Sequence, residues 1–454
     1  MAATAGAVVL ALIAAASPAQ AQLVPPISSL PLKNFAPVAS PADTPPAAKA
    51  TAQKQSTGTA QAPPAQRISD IDNEHQNVTG AELKAADFPG LSFAIPETNA
   101  RIGFGGFVKL DAIADLSGVG DKYEFILGKI QIPGEGKPQR DGYFYMQARE
   151  TRFYVDLRNI TQTGRPLRLF TEMDFWMKES SDFRLPIRIR HFYAVYDHLT
   201  VGYTWGTATD PLSWPTSIDF GGEAMNGARR AVLRWEQAGL LPRAKWAVSV
   251  ENDTFPNIYN PDGLDGEASP RLPVLAARIN QQMGKHQHGH WMLGAQIREL
   301  RWDGPAENST AIGWGVSFSG RAYLGKSDFF TWNASAGDAW AGNTSTLLSS
   351  DQSAVLTSEG RVDTVFTSQA MFGVSHYFSP TLALNANAGV INVDRHPGFP
   401  GDFFSKGVVS HFNLIWSPWE HVNTGLEYTF GGRTNVKGDA GYAHRLQYML
   451  KFIM

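Results

Sequence analysis

Eight arginines, Arg152, Arg158, Arg168, Arg188, Arg190, Arg230, Arg234 and Arg278, recur at short intervals in the middle of this 454-residue chain. A guanidinium stays charged and binds carboxylate or phosphate through two parallel hydrogen bonds, so a row of them suits the guidance of anions. Acidic side chains are interspersed, Glu172 and Asp174 foremost, with Asp156 and Glu236 beside them. Ion pairing inside a folded wall is therefore the competing use of the same arginines. Other chemistries find less support. His286-Gln287-His288-Gly289-His290 is rich in metal-type ligands, but no carboxylate lies near it in sequence and it falls in a turn between strands. There is no G-x-S-x-G nucleophile motif and no Gly-rich phosphate loop. The chain has no cysteine, which excludes a thiolate metal site or a disulfide scaffold. No catalytic residue, metal or cofactor is assigned, and a formal charge of −3 points to no nucleic-acid partner.

The elements that carry these arginines alternate with period two. Ile102, Phe104, Val108 and Leu110 share one parity, and Lys109, Asp111 and Asp115 the other. Phe153, Val155 and Leu157 stand against Arg152, Asp156 and Arg158; Leu167, Leu169 and Met173 stand against Arg168, Glu172 and Asp174. The last segment places Leu446, Tyr448, Leu450 and Phe452 opposite Arg445, Gln447 and Lys451. Segments of about ten residues with one apolar and one polar face, separated by turns, are the signature of a transmembrane β-barrel. Energy settles which face is which. An Arg on the lipid side costs about 2–4 kcal/mol near the bilayer midplane. Several together would exceed an ordinary folding stability of about 5–15 kcal/mol. The arginine parity must face a wet interior.

Sixteen such segments can be counted, near 101–116, 147–158, 166–177, 187–197, 199–208, 230–238, 243–254, 273–283, 289–301, 311–324, 327–337, 363–378, 380–395, 405–417, 420–431 and 443–454. Their connections alternate between long (117–146, 209–229, 255–272, 338–362) and short (159–165, 239–242, Gly325-Lys326, Ser379-Pro380, Pro418-Trp419). Outer-membrane barrels have long outer loops and short periplasmic turns, so both barrel ends fall on the periplasmic side. The expected fold is all-β, a 16-stranded antiparallel transmembrane β-barrel over 101–454. The third outer connection, 209–229, is rich in Pro and Gly. Folded inward it would narrow the lumen and present Trp214, Asp219, Phe220, Glu223 and Arg229; the alternative is a surface loop.

Upstream, residues 1–21 read as a signal peptide, with an apolar run Val8–Ala16 and small residues at Ala19 and Ala21. Residues 22–100 read as a flexible Pro/Ala-rich arm, too poor in large apolar side chains to offset its ordering entropy, with a short helix near Glu82–Ala86. No later run is long enough to span a bilayer as a helix. Low charge (18%) together with twelve Trp and thirteen Tyr agrees with a lipid-facing band and aromatic girdles.

With the segments laid out, several stretches resemble the DcaP-like family of outer-membrane porins. They are Gly103-Phe104-Gly105-Gly106-Phe107-Val108-Lys109-Leu110-Asp111-Ala112, Thr171-Glu172-Met173-Asp174-Phe175, Arg188-Ile189-Arg190-His191-Phe192-Tyr193, Val201-Gly202-Tyr203-Thr204-Trp205-Gly206 and Gly425-Leu426-Glu427-Tyr428-Thr429, in that order. The resemblance covers about 95–454. It implies a trimeric diffusion channel in the Gram-negative outer membrane for small, often negatively charged solutes such as aromatic carboxylates. The expected function is passive passage of small polar, anionic solutes through an Arg-lined lumen, with outer-membrane lipid around it. A sugar channel, marked by open aromatics along the path, and a barrel enzyme, marked by a catalytic triad, are the competing classes.

Overall fold

The computed structural model describes residues 88, 90–136, 141–177, 186–221, 224–283, 289–305, 307–325 and 327–454. The signal peptide, the arm up to residue 87 with its short helix, Glu223 and the histidines at 286 and 288 lie outside the described residues. Sixteen strands form the wall: β1 (Ala100–Ser117), β2 (Arg152–Ile160), β3 (Pro166–Asp174), β4 (Arg188–Tyr196), β5 (Leu199–Trp205), β6 (Arg229–Ala238), β7 (Ala244–Glu251), β8 (Val274–Met283), β9 (Gly289–Asp303), β10 (Asn308–Leu324), β11 (Asp328–Asp338), β12 (Phe366–Ser379), β13 (Leu382–Val393), β14 (Phe404–Trp419), β15 (Val422–Asn435) and β16 (Ala440–Ile453). Each pairs antiparallel with the next, and β16 closes on β1 with Lys109 opposite Lys451 and Asp115 opposite Arg445. Closure of the first strand on the last pairs the backbone around the wall, which backbone in hydrocarbon requires.

Period-two alternation holds around the wall. Phe104, Val108, Leu110, Leu169, Leu233, Val316, Phe412 and Phe452 are exposed on the outside, while Lys109, Asp111, Asp156, Arg168, Glu172, Arg445 and Gln447 are buried within. Bulges interrupt it at several places, one of them beside the cavity. Glu172 pairs with His191 and Met173 with Ile189, so Arg190 is an extra residue. The bulge turns Arg190 and His191, adjacent in sequence, both into the buried interior.

Two outer connections are shorter than expected. β9–β10 and β15–β16 are joined through residues 304–307 and 436–439, as tight as the turns at the other end. The alternation of long and short connections is thus incomplete, because the flanking strands run on past the apolar band. The long loops are themselves structured. Tyr143–Gln147 pairs with Asp111–Asp115 of β1 above a break that separates it from β2. Ile258–Tyr259, Ala354–Leu356 and Val362–Thr364 form a small separate sheet. Phe125, Leu127 and Ile130 pack with Met225, Leu347, Val355, Phe399 and Phe404 in an apolar cluster at the loop end. At the turn end, Leu91–Ala94 pairs with Arg101–Phe104. This stretch, expected to belong to the arm, covers the β1 edge below its last contact with β16 at Phe107. Phe88 follows it to Gly103, where any side chain would collide with its ring.

Candidate functional site: a loop-constricted lumen

The described residues of the connection between β5 and β6, 206–221 and 224–228, lie inside the barrel and reach from one wall to the other. Near its start, Asp210 Oδ2 accepts from Ser319 Oγ and pairs with His290 Nε2, each at 2.8 Å. Burial alone would raise the Asp210 carboxyl, but His290 and the Ser319 hydroxyl hold it below the usual range. Further along, Asn333 Nδ2 donates to Ser213 Oγ (2.8 Å) and Asn413 Nδ2 to the Thr216 carbonyl (3.1 Å). The tip is fastened hardest. Glu427 accepts the Ile218 and Asp219 amides at 2.7 and 2.8 Å, and Lys109 Nζ donates to the Ile218 carbonyl at 2.7 Å. Arg445 joins Asp219 (2.9 Å) to Asp115 (2.6 Å) across the closure seam. Where the loop returns, Gly227 carries no Cβ because one would stand 2.9 Å from the Trp214 ring.

What stays open is a cavity of about 880 Å³ bordered by nine Lys or Arg and five Asp or Glu. Its cations alternate with aromatic rings. Lys451 Nζ and the Arg152 guanidinium lie 5.2 and 5.5 Å from the Phe107 ring. Arg152, Arg188 and Arg190 lie 5.3–5.9 Å from the ring of Phe220. Phe220 in turn stacks on Trp176 at 4.1 Å, and Trp176 Nε1 donates to Glu124 Oε2 at 3.1 Å. Three outer loops therefore meet at the narrowing. Behind the cations, Asp174 holds Arg188 at 2.6 Å and Arg190 at 3.1 Å, and Glu172 also pairs with Arg190. Glu150 binds Lys109.

The arginines expected from the sequence divide into two groups. Arg152, Arg188 and Arg190 border the cavity, as do Trp214, Asp219, Phe220 and Arg229. Arg158 and Arg168 are buried on Asp156, at 2.8 and 2.7 Å. Arg230 bonds Asn343 (2.7 Å), Arg234 bonds Thr207 Oγ1 (2.8 Å) and Arg278 bonds Glu236 (2.6 Å). These five tie strands and loops together and stand away from the cavity. Glu172 and Asp174 sit behind the arginines rather than in the opening. Arg229 lies 3.7 Å over Trp205, which packs edge-on against Trp214 at 4.9 Å. Lys109, Lys451, Arg433 and Trp176 border the cavity or its narrowing without having been singled out. The polar parity of Lys109 and Lys451 was visible, but only closure makes them neighbours.

Two constellations bear on the enzymatic alternative. His290, expected in a turn without acidic company, opens β9 and meets Asp210, remote in sequence. His411 brings Nδ1 to Ser217 (3.4 Å), Thr429 (3.2 Å) and Glu427 (3.3 Å).

The model of the DcaP outer membrane protein family matches residues 76–453. The chain belongs to the DcaP outer membrane protein family. The outer membrane channel DcaP of Acinetobacter baumannii superposes with a TM-score of 0.69 at 21% identity, covering 80% of this chain and 99% of that one. The anion-selective porin of Comamonas acidovorans gives 0.52 at 8% identity, over 78% and 100%. Salmonella typhi OmpF in complex with daunomycin gives 0.51 at 8%, over 80% and 100%. At such identities these likenesses concern the fold. No curated protein sequence matches. As a DcaP-family porin, the chain is a channel of the Gram-negative outer membrane, with the loop end outside and the turn end in the periplasm.

Proposed function

We propose that this DcaP-family porin passes small polar solutes with a preference for anions, aromatic carboxylates among them, and works as a homotrimer. The excess of nine cations over five anions around the cavity carries this reading. Arg152, Arg188 and Arg190 around Phe220 offer guanidinium groups beside an aromatic face, which suits a planar carboxylate. A sugar channel is the competing reading, since Phe107, Trp205, Trp214 and Phe220 also border the cavity; the interspersed cations favour anions over it.

The reversal potential of purified protein in a planar bilayer under a salt gradient tests the proposal. Several-fold anion preference is expected. Arg188→Gln should lower it, since Asp174 then keeps its charge with one guanidinium fewer. Cation preference would sink the anion claim and leave a channel; folded protein without conductance would sink the channel in its open form.

A further inference from the structure

The cations around the cavity are not all matched by acids. Lys109, Lys129, Arg152, Arg188, Arg190 and Arg433 each meet a carboxylate at 2.5–3.8 Å. Lys451 has no such partner among the described residues, but it shares the Phe107 ring with Arg152 and so belongs to the group around Phe220. Arg321 stands apart. It lies on β10, across the barrel from β2 and β4, and borders the same cavity. Only 5% exposed, its side chain makes no hydrogen bond or ion pair with another described residue, and its Nε is enclosed without an acceptor. The guanidinium lies 4.6 Å from the Phe329 ring. Asp210 reaches the neighbouring wall positions, but its Oδ2 is taken by His290, directly opposite Arg321 on β9, and by Ser319, two positions along β10. A guanidinium stays charged however deeply it is buried, so it gains more than a surface cation does from an anion brought to it.

We infer that Arg321 is a second anion station, which takes the carboxylate of a permeating solute on the periplasmic side of the inserted loop. The inference rests on the anion preference proposed above and adds a site to it. Three neighbouring strands fix the level. The loop touches β10 through Asp210 at Ser319, β11 through Ser213 at Asn333, and β12 through Pro215, against which a Cβ on Gly373 would collide. Arg321, Phe329 and Tyr377, which all border the cavity, lie between those contacts and the turns. Arg188 and Arg190, by contrast, stand at the loop end of β4. The two stations therefore follow one another along the path. Phe329, itself buried, covers the face of the Arg321 guanidinium and leaves its forked edge for two parallel hydrogen bonds to a carboxylate. Conduction requires binding weak enough to release, and a second site beyond the narrowing lets a solute move on rather than turn back.

Single-channel chloride current interrupted by added benzoate tests the inference. Two families of interruptions with different dwell times are expected. Arg321→Gln should weaken the benzoate dependence of one family at least fivefold and leave the other, and Arg188→Gln should do the reverse. A single family, lost with Arg188→Gln and untouched by Arg321→Gln, overturns the second station and leaves the group around Phe220 standing. No interruption at all also overturns the station, and the reversal potential of the same channels then shows separately whether anion preference survives. Folding gives a second readout. With no ion pair to lose, Arg321→Gln should leave the denaturant midpoint of the barrel unchanged or raise it. It should also at least halve the upward shift that benzoate gives the unsubstituted protein. A lower midpoint with the benzoate shift intact would make Arg321 a structural residue and overturn the inference.

Discussion

Arg445 shows what a single buried charge does here. Its guanidinium holds Asp115 of β1 and Asp219 of the inserted loop, and it donates also to the Asp121 carbonyl. It joins closure seam, constriction and outer loop at one point. Replacing it with Met leaves two buried carboxylates without their cation, and breaking such a pair costs about 3–5 kcal/mol. We expect Arg445→Met to lower the denaturant midpoint of the folded barrel markedly. Arg165→Met, which removes an exposed pair with Asp197, should change it by less than about 1 kcal/mol. Equal midpoints for the two variants would show that the seam does not depend on this bolt. At the cavity, Arg188 and Arg190 are kept in place by Glu172 and Asp174, so ion pairing and lining are one arrangement rather than alternatives.

The decisive element is the loop 206–228. Its Pro and Gly content suggested compactness, but its path depends on partners spread over β9–β11, β14–β16 and β1. Trp176 sets the position of its open side. The stack on Phe220, anchored through Glu124, keeps that ring over the arginines. Trp176→Ala removes the stack while leaving the anchors at Asp210, Ile218 and Asp219 intact. Single-channel recording of this variant should give a higher conductance and a noisier open level, because Phe220 gains rotamers and cross-section. A conductance and noise equal to the unsubstituted protein would mean that Phe220 is held by the loop alone.

At the scale of the molecule, charge and height are both distributed unevenly. Cations from β1, β2, β4 and β16 gather on one side of the opening, and the lowest wall lies beside them. A field summed over many groups is sensitive to salt. The Debye length falls from about 10 Å at 0.1 M to about 3 Å at 1 M. The anion permeability ratio should therefore shrink several-fold between these concentrations. A ratio unchanged by salt would assign selection to direct contacts at Phe220 and its three arginines. The outer loops add a second body, since Phe125, Leu127 and Ile130 lock against Leu347, Phe399 and Phe404. Burial of that size makes the cap a packed structure rather than a set of free loops.

Strand count, wall sidedness and the inward parity of the arginines followed from the sequence. They rest on a local rule, that successive side chains on a strand point to opposite faces, and on the large cost of charge in lipid. Strand limits moved little, apart from β2, where a break separates Tyr143–Gln147 from Arg152. Tertiary structure alone decided which arginines border the cavity. Arg158 and Arg190 share the same parity signal and are equally buried, yet Arg158 packs on Asp156 and the Phe88 ring at the turn end, whereas Arg190 meets Phe220 of the inserted loop. The bulge that turns both Arg190 and His191 inward leaves no mark in local alternation. The pairing of Lys109 with Lys451 joins the two ends of the barrel sequence, and periodicity carries no information at that separation. Local patterning specifies each strand, whereas the site is made by contacts between residues remote in sequence, which only the closed barrel brings together.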